Sequence, residues 1–208
     1  MLRDDKETVT LFDDWAKTYD KDLENASGPL MGYDQSMAQA ARMLNVSDHE
    51  RLLDIGIGTG TFAHMVSAGN GDIWGVDLSA QMLEQCQAKH PDYHLQQGTF
   101  TETTITDERF DYVISSFCFH EVMPKERTQA VKEMYRLLVP EGKFLILDIM
   151  FVSDAAETVA KKEIGEHWDA TEDYVRVSVL DELLRQTGFK NVQWFHTSPY
   201  HWAVVGKR

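Results

Sequence analysis

The residues best placed to do chemistry lie in Leu52-Leu53-Asp54-Ile55-Gly56-Ile57-Gly58-Thr59-Gly60, an apolar run that passes into closely spaced glycines. A strand that turns sharply into a helix through glycines exposes backbone N–H groups and lets a ligand approach where a Cβ would block it. The next apolar run ends in Gly75-Val76-Asp77-Leu78-Ser79, placing an acid 17 residues after Gly60. A carboxylate at the tip of a second strand accepts hydrogen bonds from ribose hydroxyls. Each feature has a plainer alternative: the glycines as a tight structural turn, and Asp77 as a helix cap competing with Ser79. Taken together they describe a nucleoside site.

A second candidate is Phe117-Cys118-Phe119-His120-Glu121-Val122, just after an apolar run and so at the carboxyl edge where open α/β sheets bind ligands. His120 is the candidate for acceptor contact or general base, with a structural histidine as the alternative. His90 and His94 have HxxxH spacing, but Pro91 disfavours a helix there, so the pair is expected to straddle a turn and no metal site is expected. His94, His196 and His201 fall on expected strands and read as sheet histidines. SxxK, GxSxG and P-loop patterns are absent.

These residues need elements to hold them. Strands are predicted at Arg51–Ile55, Asp72–Val76, Tyr93–Gln96, Phe110–Ser115 and Gly142–Ile149, with helices at Gly60–Ala68, Ala80–Ala88 and Lys125–Leu138. That alternation implies βαβ units around a mostly parallel, doubly wound α/β sheet. Ahead of it, Leu11, Phe12, Trp15 and Tyr19 recur at helical spacing, predicting a helix over Thr10–Leu23; a loop over Asn25–Gly32 and a helix over Tyr33–Leu44 follow. Behind it come a helix from Asp154 to Ile164, an aromatic and acidic loop, a helix over Val179–Thr187, and a hairpin of Phe189–His196 with His201–Gly206.

The chain has 208 residues, of which 43% are hydrophobic, and carries 34 acidic against 20 basic side chains, a formal charge of -14. The length suits one domain, at roughly 100–200 residues each. The charge repels a phosphate backbone, so nucleic acid is not expected as a partner. The opening MLRDDKETVT has no apolar stretch of signal-peptide kind, Leu2 stands where N-myristoylation needs glycine, and no window suits a bilayer. Cys86 and Cys118 form no close pair. The expectation is a cytoplasmic protein without membrane association.

DIGIGTG, VDLS, FDYVISSF and LLVPEGKFLILD together resemble the landmarks of class I S-adenosylmethionine-dependent methyltransferases, and the final hairpin suits the reversed seventh strand of that fold. The segment Phe12 to Asp20, FDDWAKTYD, is similar to an FDxWAxxYD element of small-molecule members, and SSFCFHEV to small bacterial methyltransferases of the YrrT type. The resemblance implies S-adenosylmethionine as cofactor, a Rossmann-like fold of seven strands, and methyl transfer to a small-molecule acceptor by in-line displacement. It implies a single domain with a helical lid over residues 1–48, a cofactor core over 50–150, and an acceptor-side insertion and hairpin over 151–208.

Residue by residue, the resemblance implies that Gly56 and Gly58 admit the methionine moiety, supported by Asp54. Asp77 holds the ribose, Leu78 and Met82 pack on adenine, Ser115 flanks the methionine portion, and Tyr19 closes from the lid. Where the family usually offers an acid to the adenine amino group this chain has Thr99, followed by Phe100. Acceptor contacts are expected from Tyr33, His167, Trp168 and Tyr174, with Asp34, Asp169 and Arg176 beside them. Two other readings stand beside this one: a binding protein that performs no transfer, and an NAD-dependent oxidoreductase. Against the second are Thr61, where GxGxxG has its third glycine, and the absence of a YxxxK pair.

Overall fold

The computed structural model describes residues 2–24 and 26–208; Asn25, at the start of the expected loop, lies outside the described residues. Seven strands alternate with helices: α1 (Asp5–Trp15), α2 (Tyr19–Leu23), α3 (Tyr33–Ala41), β1 (Arg51–Ile55), α4 (Thr61–Ser67), β2 (Asp72–Asp77), α5 (Ala80–Lys89), β3 (His94–Gln97), β4 (Phe110–Ser116), α6 (Arg127–Leu137), β5 (Leu138–Ile149), α7 (Asp154–Ile164), α8 (Val177–Thr187), β6 (Lys190–His196) and β7 (His201–Lys207). The sheet order is β3-β2-β1-β4-β5-β7-β6. All pairs from β3 to β5 are parallel, and β7 runs antiparallel between β5 and β6. This is the expected doubly wound sheet with a reversed C-terminal hairpin.

The central strands are apolar throughout because successive side chains point to opposite faces and both faces are covered. Leu52, Ile114, Leu145 and Leu147 pack with Met37 and Ala40 of α3 and Phe62, Ala63 and Val66 of α4. Leu53, Ile55, Val113, Phe144 and Ile146 pack with Val131, Met134 and Leu137 of α6 and Leu180 and Leu184 of α8. Two cores thus grip the sheet and fix where each strand ends, which sets the height of every residue at its carboxyl edge.

Two elements differ from expectation. The N-terminal helix is two helices, because Asp4 and Glu7 form a capping box that starts α1 five residues early, and Thr18 then begins a second helix with its hydroxyl and the Trp15 indole both donating to Asp22 at 2.8 Å. Strand β5 begins at Leu138, straight after α6, rather than at Gly142. Pro140 and Glu141, the latter at φ 64, are absorbed by a register shift opposite Phe110 and Tyr112. No described helix is long and apolar enough to cross a membrane.

Candidate active site

The carboxyl ends of β1, β2 and β4 open into a cleft, the edge at which sheets of this kind bind small molecules. Its floor is the glycine turn. Gly56 has φ 77, and a Cβ there would lie 2.2 Å from Cys118 Sγ, so only glycine lets the turn pass beneath the segment after β4. Gly58 has φ 55 and nothing within 4 Å of where its Cβ would be, which leaves the cleft clear at that point.

Asp77, the last residue of β2, is tied to this turn. Its Oδ2 accepts the Gly58 N–H at 2.8 Å and its Oδ1 the Ser79 N–H at 2.9 Å. Burial pushes its carboxyl up to about 6, and the two N–H bonds act against that rise. Each oxygen has a lone pair left for a donor in the cleft. Asp54, one strand away, is fully buried with neither carboxylate oxygen bonded, and burial followed by the nearby Asp77 raises it well above the carboxylate range. An orphaned buried acid beneath a glycine turn and beside a half-satisfied carboxylate suits a ligand that brings donors or positive charge.

The lining separates the expected residues. Tyr19, Gly56, Gly58, Asp77, Leu78, Met82, Thr99 and Phe100 all line the cleft. Thr99 turns its Oγ1 toward Thr101 Oγ1 at 3.1 Å and accepts the Glu102 N–H at 2.9 Å, closing its own loop. Asp54 and Ser115 do not line it; Asp54 lies under the turn, and Ser115 points into the sheet interior so that Ser116 takes its place on the wall. Burial, with Tyr33 and Asp77 nearby, holds the Tyr19 phenol well above its usual range, so it stays neutral.

The expected acceptor residues lie elsewhere. Tyr33 is buried and does not line the cleft, its ring 4.8 Å from that of Phe117. Trp168 and Tyr174 meet edge to face with ring centroids 5.1 Å apart and both pack on Phe151, closing the core beneath the 151–178 segment. His167 is exposed beside Gly28. Aromatic rings next to charges in the sequence are here a packed layer, because β5 delivers Phe151 into their midst.

His120 also turns away from the cleft. Its Nδ1 lies 2.6 Å from Asp148 Oδ1 and its N–H donates to Asp148 Oδ2 at 3.0 Å, clamping the segment after β4 to the end of β5. Glu121 and Glu172 stand 3.7 and 3.9 Å from Nε2. Burial opposes its charge, but Asp148 first, then Glu172 and Glu121, outweigh burial and push it up to about 10. At neutral pH it is an imidazolium with no free lone pair, so it is not positioned as a general base. His120, Glu121 and Glu172 would bring ligand atoms within 4.8 Å of one another, but the cation among these acids is the guanidinium of Arg3, which bonds Glu121, Glu172 at 2.8 Å and Asp169 at 2.7 Å. His90 and His94 part: one stacks on Tyr93, the other on Trp74. His201 is a buried sheet histidine, bonded to Ser36 and the Pro29 carbonyl.

Asp5, Thr8, Ser116 and Glu126 were not legible as cleft residues in the sequence, whereas Phe117, Cys118, Glu121 and Val122 belong to the segment expected at this edge and Phe12 to the N-terminal element. Helix α1 lies across the opening and contributes Asp5, Thr8 and Phe12, while Ser116, Phe117, Cys118, Glu121, Val122 and Glu126 form the wall after β4. Both ends of α1 are fastened: Arg3 in the acid cluster, and Asp13 Oδ1 accepting from Ser79 Oγ at 2.5 Å and from the Gln81 N–H at 3.3 Å. Helix α2 is fastened to the glycine turn, where Thr59 Oγ1 donates to Asp20 at 2.6 Å.

A family model described as a methyltransferase domain matches residues 52–142, the stretch from the start of β1 to the middle of β5. An uncharacterized methyltransferase from Staphylococcus carnosus is 28% identical over 210 residues, covering 97% of this chain and all of that one. Among solved structures, magnesium protoporphyrin IX methyltransferase from Synechocystis, crystallised with S-adenosylhomocysteine, superposes with a TM-score of 0.77 at 14% identity over 99% of this chain and 100% of that one. The [4+2]-cyclase SpnF superposes with a TM-score of 0.78, also at 14% identity, over 100% and 97%. These last two likenesses are likenesses of fold.

Proposed function

The chain is a class I S-adenosylmethionine-dependent methyltransferase, and on that premise we propose that it methylates a small-molecule acceptor seated in the cleft between α1 and the glycine turn. The observation that carries this reading is one continuous cleft in which the glycine turn and Asp77 form one end and α1 with the wall after β4 form the other. When bound, S-adenosylmethionine supplies an electrophilic methyl group on a sulfonium, a leaving group that needs no protonation.

In this reading Asp77 accepts from the ribose hydroxyls, Leu78, Met82 and Phe100 pack on the adenine, and Gly56, Gly58 and the Ser116 backbone give passage to the methionine portion. Asp54 works from below, directly or through water. Tyr19, as a neutral phenol, and Phe12 close the site from the N-terminal helices and keep water from the reacting atoms. The His120–Asp148 pair positions the wall without touching the reactants. No residue acts as a covalent nucleophile. Residues 1–48 serve as lid, 50–150 as cofactor core and 151–208 as packing support within one domain. The two unbridged cysteines support a place in the cytoplasm.

The test is titration calorimetry with S-adenosylmethionine, S-adenosylhomocysteine and, as control, NAD, followed by mass spectrometry of metabolite extracts incubated with the protein and labelled cofactor. Micromolar binding of the first two and a labelled small molecule are expected. Binding without any methylated product would favour the second reading, a cofactor-binding protein that performs no transfer. That reading draws on Thr99, whose side chain is committed to its own loop where an acid was expected.

A further inference from the structure

The residues assigned above to the cofactor line only part of the cleft, and the chemistry of the rest selects what enters. Outside the residues assigned above to the cofactor, the stretch of lining formed by α1 and the wall after β4 includes Asp5, Thr8, Glu121, Val122 and Glu126, with Phe12 and Phe117 at its border. Among the described residues lining the whole cleft there are four carboxylates, Asp5, Asp77, Glu121 and Glu126, and no lysine, arginine or histidine.

The nearest cations do not cancel this charge. Arg3 stands behind the wall with its side chain only 13% exposed, shared among Glu121, Asp169 and Glu172, so that cluster stays net negative. His120 adds one positive charge there, but it bonds the fully buried Asp148. Glu126 has only a 3.8 Å contact with the exposed Lys125, and Asp5 has no ion pair among the described residues. S-adenosylmethionine brings one net positive charge, which leaves the wall negative when it is bound. The long-range field of a chain at -14 has the same sign. An anionic guest would lose its hydration to face uncompensated carboxylates, whereas a cation exchanges water for them, and its apolar part has Phe12, Phe117 and Val122 to lie against.

We infer that the acceptor is a small organic cation, an amine-bearing molecule with an apolar portion, and that Asp5 and Glu126 select it. The inference rests on the small-molecule reading above and adds to it the charge of the acceptor. It concerns the group that seats the molecule, whichever of its atoms takes the methyl.

Three probes of matched shape test it: 2-phenylethylamine, 2-phenylethanol and phenylacetate, titrated into protein saturated with S-adenosylhomocysteine. The amine is expected to bind at least tenfold tighter than phenylacetate, with the alcohol between them. The Asp5→Asn/Glu126→Gln double variant is expected to lower that preference at least fivefold while its affinity for S-adenosylhomocysteine stays within twofold. Equal or tighter binding of phenylacetate, no measurable binding of the amine, or a double variant that keeps the full preference would overturn the inference. Failure of the parent reading has a different signature: no binding of S-adenosylhomocysteine by the parent protein, or methylated macromolecules in place of small molecules in the labelled extract.

Discussion

The Gly58 N–H donates to Asp77 Oδ2 at 2.8 Å, joining the turn after β1 to the last residue of β2 across 19 positions of sequence. The bond makes the floor of the cleft a single unit. The turn cannot move without its acid, and the acid is aimed before any ligand arrives, so less ordering remains to be done on binding.

Replacing Asp77 therefore removes both a ligand contact and a brace. Asp77→Ala is expected to weaken S-adenosylmethionine binding by more than about tenfold, since ribose hydroxyls and the Gly58 and Ser79 N–H groups all lose their acceptor. Asp77→Asn, which keeps one oxygen, should fall between. Calorimetry decides; an unchanged Kd for the alanine variant would contradict the ribose assignment.

The raised carboxyl of Asp77 gives that binding a pH dependence. Donors in the cleft favour the carboxylate, so the bound form holds its proton less tightly than the free form at about 6. Affinity should fall as pH drops through about 6 and level off above it. Calorimetry near pH 6 in buffers of different ionisation enthalpy should show proton release on binding, and no dependence on buffer would contradict the shift.

His120 ties stability to pH with the opposite sign. Its charge is favoured by Asp148, Glu172 and Glu121, with Arg3 behind the two glutamates, Tyr174 5.9 Å from its ring and the neutral His201 beyond Asp148. Because its folded value lies near 10 against 6.5 unfolded, its contribution is complete below pH 6.5 and lost as pH rises toward 10. The melting temperature of the parent should decline across that window more steeply than that of His120→Gln, which should be lower at pH 6 by several degrees. Parallel curves would show that the histidine is uncharged. Cofactor affinity of the variant should change less than turnover, through a displaced wall.

Gly56→Ala places a methyl group 2.2 Å from Cys118 Sγ at a φ of 77. Strain and overlap together should cost about 2–4 kcal/mol and abolish cofactor binding. Removing the obstacle with Cys118→Gly should restore part of the stability, read by denaturant unfolding. A Gly56→Ala variant of parental stability would mean that the turn relaxes freely.

DIGIGTG and the acid of VDLS were readable because the information is local: apolar runs fix strand ends, glycines mark a turn of positive φ, and both motifs sit within a few residues of their own strand. Asp54, Gly56, Gly58, Asp77, Leu78, Met82, Thr99 and Phe100 line the cleft or support its floor; Ser115, expected to contribute from its backbone, is buried while Ser116 at the end of β4 lines the cleft, since side chains alternate along a strand. His120 was placed at the correct edge, but its direction depends on Asp148, 28 residues away on the next strand.

The sequence by itself determined the fold class, the cofactor and the floor of the site, because strand–turn–helix grammar is written in neighbouring residues. Only the tertiary structure decided what closes the cleft. Asp5, Thr8 and Phe12 face it because Asp13 docks on Ser79, 66 positions away, and Arg3 on Glu121, Asp169 and Glu172, up to 169 positions away. Trp168 and Tyr174 leave it because both pack on Phe151, just past the end of β5. Contacts at such separations depend on where two packed cores place the ends of seven strands, and no local pattern encodes that sum.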